Sequence, residues 1–159
     1  MIGPGGASGA RRLLICRVGS AVCGIPLEHV LETMRPLPVE PLAHMPGFVE
    51  GLALIRGRPT PVLDSRRLLG ARPAAATPTR FVALRLGSRC AALSVDAVVG
   101  VRMVEASALA ELPAILRDTE HEHVAALGAL DAELLLVLEH SRILSEAAWL
   151  ALEPELGAT

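Results

Sequence analysis

The sequence predicts a mainly β protein: two small barrels of five strands each, followed by a short C-terminal helix. Three observations carry that prediction. Short apolar runs are separated by glycine-centred two-residue turns, the two halves of the chain repeat one another, and the composition supplies an aliphatic core. Of 159 residues, 52% are hydrophobic and 20% charged, with two Phe, one Trp and no Tyr. The core must therefore be Leu, Val, Ile and Ala, and such a chain is apolar enough to fold over most of its length.

The clearest element is the stretch from Val49 to Leu69. Two apolar runs, Leu52 to Ile55 and Val62 to Leu63, flank Gly57, and a glycine at the first central position of a two-residue loop permits a type II′ hairpin. Pro59 and Pro61 cannot donate to a ladder, which predicts an edge or a bulge for the second strand. Asp64 and Ser65 are suited to cap the short turn that ends at Leu69 before Gly70. Read on its own, Arg56 is a solvated turn arginine.

In chain order, residues 1–12 are glycine-rich and are expected to be a disordered leader, without the apolar segment of a secretory signal. Leu13 to Val18 and Ala21 to Ile25 form a hairpin about Gly19-Ser20, which places Cys16 opposite Cys23. Pro36, Pro38 and Pro41 prevent a long helix and leave one strand near Val30 to Met34. The first barrel is thus assigned to residues 13–70. Residues 71–80, small and proline-containing, read as a linker.

The second barrel, residues 81–139, repeats the first. ICRVGSAVCGIPLEHV aligns on ALRLGSRCAALSVDAV without a gap, so that Gly19 falls on Gly87 and Val30 on Val98, a shift of 68. PVLDSRRLL aligns on LVLEHSRIL at a shift of 75, with Val62 on Val137. The extra residues fall between Ala106 and His123, read as an exposed loop with one helical turn. Tight turns and five strands per half suit closed barrels that remove their own edges. Ile143, Leu144, Ala147, Ala148 and Leu150 have helical spacing, with Ser141 as N-cap, so residues 140–159 are a packing helix and tail.

Composition narrows the partners. Fifteen Arg and no Lys against 17 Asp plus Glu give a net charge of −2, with the signs interspersed, so no basic stripe faces a phosphate backbone. The missing aromatics remove the stacking platform that single-stranded nucleic acid uses. No apolar run approaches the ~20 residues of a membrane-spanning helix, and a cytoplasmic location is expected. Three cysteines, Cys16, Cys23 and Cys90, lack metal-ligand spacing and read as reduced core residues. His121 and His123, with Glu122 between them, read as a solvated loop, because zinc requires further ligands. No nucleophile elbow or phosphate loop occurs. A binding module is favoured over an enzyme, and neither a cofactor nor a metal is expected.

GIPLEHVLETM, MPGFVEGLALIRGRPTPVLDSRRLL, LRLGSRCAALSVDAVVGVRMV and LGALDAELLLVLEHSRIL resemble, in order, segments of the CheW family of bacterial chemotaxis coupling proteins. The most specific part is the Arg56-Gly57 turn followed by Pro61-Val62-Leu63-Asp64-Ser65-Arg66. The resemblance implies two five-stranded SH3-like barrels and no catalysis. It implies a scaffold at chemoreceptor clusters that links the cytoplasmic tip of a methyl-accepting chemoreceptor to the regulatory domain of a CheA-type histidine kinase. The matching contact positions are Arg56 and Gly57 at the turn, Val30 and Glu32 in V-x-E, Gly51 before the turn, and Val98 and Val101 after Asp96.

The family's turn usually reads Asn-Leu-Arg-Gly, whereas here it is Leu54-Ile55-Arg56-Gly57. Ser65 stands in place of a leucine, and Ala92 and Ala97 in place of glycines. These departures leave open an accessory or insulating member of the family that binds receptor and couples poorly to kinase. From other classes, an SH3-like nucleic-acid-binding domain or a small enzyme are the alternatives. The acidic balance weighs against the first and the absence of a catalytic constellation against the second.

Overall fold

A computed structural model describes residues 9–70, 79–111, 124–130, 133–138 and 143–157. The first half contains β1 (Ala10–Val18), β2 (Ala21–Pro26), β3 (Val30–Met34), β4 (Val49–Ile55), β5 (Arg58–Asp64) and the one-turn helix α1 (Ser65–Leu68). The second contains β6 (Arg80–Leu86), β7 (Arg89–Val95), β8 (Ala97–Glu105), the two-residue β9 (Ala110–Glu111), β10 (Val124–Leu130), β11 (Glu133–Leu138) and α2 (Glu146–Leu156). The mainly β class and the C-terminal helix are as the sequence predicts, whereas the leader expected over residues 1–12 is corrected at its end, where Ala10, Arg11 and Arg12 begin β1 and pair with β8. The helical turn expected after Ala106 is a 3-10 turn over Ala106–Ala108, while His121, Glu122 and His123 lie outside the described residues.

The strands form two sheets, ordered β8-β1-β2-β11-β10-β9 and β3-β6-β7-β5-β4. This corrects the assignment of one barrel to residues 13–70 and the other to 81–139, because each half gives its first hairpin to the other half's sheet. The β1–β2 hairpin sits among second-half strands through a parallel β2–β11 pairing, Val22 to Leu135 and Gly24 to Val137. The β6–β7 hairpin sits among first-half strands through a parallel β7–β5 pairing, Val62 to Ala92. The sequence repeat governs both seams: a shift of 68 carries Gly24 to Ala92, and a shift of 75 carries Val62 to Val137.

The exchange explains why the strands read as continuous apolar runs rather than alternating ones. Strands covered on both faces need apolar residues at every position. In β1, Leu13 and Ile15 pack with Val22, Val104, Leu135 and Val137 inside the six-stranded sheet. Leu14, Cys16 and Val18 face the other way, into the largest cluster, where Leu63, Leu84 and Leu93 of the second sheet meet them. A third cluster, Ala53, Ile55, Val62, Phe81 and Ala92, fills the five-stranded sheet. Burying one such Leu or Ile contributes about 2 kcal/mol, so the central cluster between the sheets dominates stability. Cys16 and Cys23 are cross-strand partners as predicted, but they belong to this intersheet cluster and not to the interior of a first barrel.

Polar joints hold the crossing points. Asp64 caps α1, accepting from the Arg66 N–H at 3.0 Å, as the sequence suggests. Asp96, where the chain leaves β7 for β8, accepts from Arg66 of α1 and from the Gly19 N–H of the β1–β2 turn at 2.5 Å. The α2 helix starts after Ser145, whose hydroxyl accepts from the Ala148 N–H at 3.1 Å. Ser141, the expected cap, lies outside the described residues, and the helix begins at Glu146, later than the apolar spacing implied, with Ile143 and Leu144 buried ahead of it. Arg89 lies 5.0 Å over the Trp149 ring and pairs with Glu146 at 2.9 Å, fastening α2 to β7.

Candidate partner-binding site

The turn between β4 and β5 consists of Arg56 and Gly57, with φ of 51° and 78°. Both central residues are left-handed, which is the type I′ arrangement, so Gly57 occupies the second central position and the predicted type II′ reading is corrected. Type I′ suits the twist of the flanking strands, at the cost of a left-handed conformation for an arginine. The edge predicted for β5 is confined to its start. The strand is internal, yet its parallel partner β7 joins only from Val62 onward, beyond Pro59 and Pro61.

Glu32 reaches the turn because β3 carries a bulge. The register against β6 pairs Val30 with Leu84 but Glu32 with Ala83, leaving Leu31 unpaired between them. Two residues apart on a regular strand share a face. The bulge instead sends Val30 to the intersheet cluster and Glu32 to the other side, where Arg56 binds it through Nε at 2.6 Å and Nη2 at 3.0 Å. The hydrogen bond and charge of Glu32 raise the Arg56 pKa, and the hydrogen bond from Arg56 holds the Glu32 carboxyl below its ordinary value against the opposing effect of burial. The Arg56 side chain remains 77% exposed.

Beside this pair is an open groove of about 500 Å³ at the end of the five-stranded sheet. Ile55, Ala83 and Cys90 form its floor, Leu31 is its exposed lip, and Arg58 and Arg85 stand at its walls. Leu54 points away from it, 63% exposed, and lines a second shallow groove with Leu37, Val39 and Leu52.

Of the seven expected contact positions, the structure brings Glu32, Arg56 and Gly57 together. Val30 is two residues from Glu32 in sequence but packs inward. Val98, its repeat equivalent, packs on the same intersheet cluster from β8, opposite Cys16. Val101 is exposed on that strand, in the other sheet. Gly51 is buried with φ of 147°, and a Cβ there would lie 2.0 Å from the Glu40 carbonyl oxygen. Its absence of a side chain lets Glu40 and Leu52 exchange backbone hydrogen bonds of 2.7 and 2.9 Å. Gly51 therefore shapes the strand under the turn. The residues missed by sequence reading are Leu31, Arg58, Arg85 and Cys90, whose meeting depends on register and on the exchange of hairpins.

Among the described residues, no cluster of three or more His, Cys, Asp or Glu could hold a metal ion, and no helix is long and apolar enough to cross a membrane. An exposed, ion-paired hairpin tip beside an open groove, on two tightly packed sheets, defines a binding scaffold. Residues 12–148 match the CheW-like domain. The chain is 34% identical over 136 residues to protein FrzA of Myxococcus xanthus, covering 82% of this chain and 83% of that one. It is 27% identical over 133 residues to chemotaxis protein CheW of Rhizobium meliloti, covering 83% and 86%. The scaffolding protein TtCheW from Thermoanaerobacter tengcongensis superposes with a TM-score of 0.76 at 17% identity, covering 87% of this chain and 95% of that one. The chain belongs to the CheW family.

Proposed function

We propose that this CheW-family scaffold links the cytoplasmic tip of a methyl-accepting chemoreceptor to the regulatory domain of a CheA-type histidine kinase, without catalysis of its own, in the cytoplasm at receptor clusters. A kinase partner of like fold is supported by similarity to chemotaxis protein CheA of Rhizobium meliloti, 28% identical over 151 residues that make up 19% of that protein. Receptor contact is assigned to Arg56, Gly57 and Glu32, with Val30, Val98, Val101 and Gly51 acting as supports or secondary contacts.

The Arg56–Glu32 pair carries this reading. An exposed ion pair contributes only about 0–1 kcal/mol to folding, and a left-handed arginine is costlier than asparagine or glycine at that position. A sequence that keeps both has a use for the presented charge, and charge at the rim of an interface fixes register and selects partners. Leu54 favours a second reading. Exposed where the family usually has asparagine, it weakens the case for kinase coupling and suits an accessory member that binds receptor alone. Immobilised receptor-tip fragment and immobilised kinase regulatory domain, each titrated with the purified chain, test both readings. Retention by both supports the adaptor, retention by receptor alone supports the accessory member, and retention by neither removes both.

A further inference from the structure

We propose that the open end of the five-stranded sheet is a carboxylate subsite, in which Arg58 and Arg85 together engage an acidic side chain of the docked receptor tip. This rests on the adaptor reading and specifies what the partner's surface must carry.

The register sets the geometry. Arg58 is the cross-strand partner of Ile55, Thr60 of Ala53, Arg85 of Cys90, and Ala83 of both Ala92 and Glu32. Cross-strand partners share a face. Ala53, Ile55 and Ala92 belong to the interior cluster, so the side chains of Arg58 and Arg85 lie on the face that encloses that interior. The interior positions near this end are small, namely Ala53, Ala83 and Ala92, with Thr60 turning its hydroxyl back to the Arg58 carbonyl. Of these small residues Ala83 lines the groove itself, with Thr60 and Ile55 beside it.

The charge is unbalanced. Three guanidinium groups, those of Arg56, Arg58 and Arg85, and one carboxylate, that of Glu32, line the groove. Glu32 is occupied in both oxygens by Arg56. The side chains of Arg58 and Arg85 have no hydrogen-bond or ion-pair partner among the described residues. Three cations against one anion leave two positive charges, which suits one or two carboxylates on an occupant. Leu31, 45% exposed, extends the groove as an apolar lip toward the Arg56–Glu32 pair. A free small anion would leave that lip uncovered, whereas an acidic residue on an apolar helix face would use both features.

Calorimetric titration of the intact chain with a receptor-tip fragment, at low and high ionic strength, tests the proposal. R58Q/R85Q should bind at least about tenfold more weakly at low ionic strength and lose most of its salt dependence. R58K/R85K should retain most of the affinity. Wild-type affinity and salt dependence in R58Q/R85Q, with R56A still weakened, would overturn the subsite and leave the adaptor reading intact. If the wild-type chain binds neither receptor nor kinase, the adaptor reading fails and a second measurement decides the subsite. Cys90 lines the groove and is partly exposed, whereas Cys16 and Cys23 are buried, so native thiol reactivity reports on Cys90. R58Q/R85Q should slow its reaction with the dianion dithiobis(nitrobenzoate) several-fold more than its reaction with neutral N-ethylmaleimide, which reports the thiolate fraction alone. Equal effects on the two reagents would overturn the subsite. Saturable protection of Cys90 by succinate, with none by the receptor tip, would assign the groove to a small dicarboxylate and overturn the proposal.

Discussion

Arg66 donates to Asp96 Oδ1 through Nε at 2.8 Å and Nη2 at 2.5 Å, with the two side chains only 14% and 16% exposed. The same carboxylate accepts from the Gly19 N–H through its other oxygen. One side chain thereby ties α1 at the end of β5, the β7–β8 crossover and the β1–β2 turn, which belong to different sheets.

Removing one partner of a largely buried pair leaves an uncompensated charge. Asp96→Asn is expected to cost about 3 kcal/mol, measured as a lower urea midpoint. A loss below about 0.5 kcal/mol would mean that apolar packing alone holds the crossover.

The Arg56–Glu32 pair is exposed, so Arg56→Ala should leave stability within about 0.5 kcal/mol while weakening receptor association. The charge-swapped double variant Arg56→Glu/Glu32→Arg should restore the pair without restoring binding. Unchanged receptor affinity in Arg56→Ala would remove the turn from the contact surface.

At the neighbouring position, Leu54 is expected to hold the affinity for the kinase regulatory domain at least tenfold, or about 1.4 kcal/mol, below that of Leu54→Asn. Calorimetry of the two chains against one kinase preparation measures it. Equal affinities would leave the accessory reading without support.

Ser65 is fully buried, and its hydroxyl has no hydrogen-bond partner among the described residues. Ser65→Ala removes an unpaired polar group at small cost in volume and should stabilise the chain by about 1 kcal/mol. Thermal and urea unfolding of the two chains would agree in sign. Destabilisation would show that the hydroxyl bonds a partner in solution.

Burial pushes the Cys16 thiol up to about 12 from 9.0, and burial followed by the neighbouring Cys16 raises Cys23 well above its ordinary value. Between these limits the unfolded chain loses thiol protons that the folded chain keeps. The thiol contribution to stability should therefore be flat below pH 9 and fall above it, by about 1.4 kcal/mol per pH unit for each such thiol. Thiol counting under denaturing conditions without reductant should find three free sulfurs. One alone would mean that Cys16 and Cys23 are oxidised. Cys23→Ala should cost about 1 kcal/mol.

The sequence by itself determined the strands, the two-residue turns and the repeat, because these depend on local chemistry. Glycine at position 19, the prolines after Met34, and the Asp64 cap act on residues within a few positions of themselves. It also determined that Cys16 faces Cys23, since a two-residue turn fixes the register of its own hairpin. Which hairpin enters which sheet was decided only by the tertiary structure, and the repeat is the reason. PVLDSRRLL and LVLEHSRIL are so alike that β2 finds an apolar parallel partner in either β5 or β11, and no local signal separates them. The choice is made by packing both faces of every central strand at once. The candidate site divides in the same way. Arg56 and Gly57 were legible as a turn, and Glu32 through a family resemblance. The bulge at Leu31, which turns Glu32 toward Arg56, and the meeting of Arg58 with Arg85 follow from pairing between strands on opposite sides of the linker. Tertiary pairing creates those contacts, and a linear pattern cannot contain them.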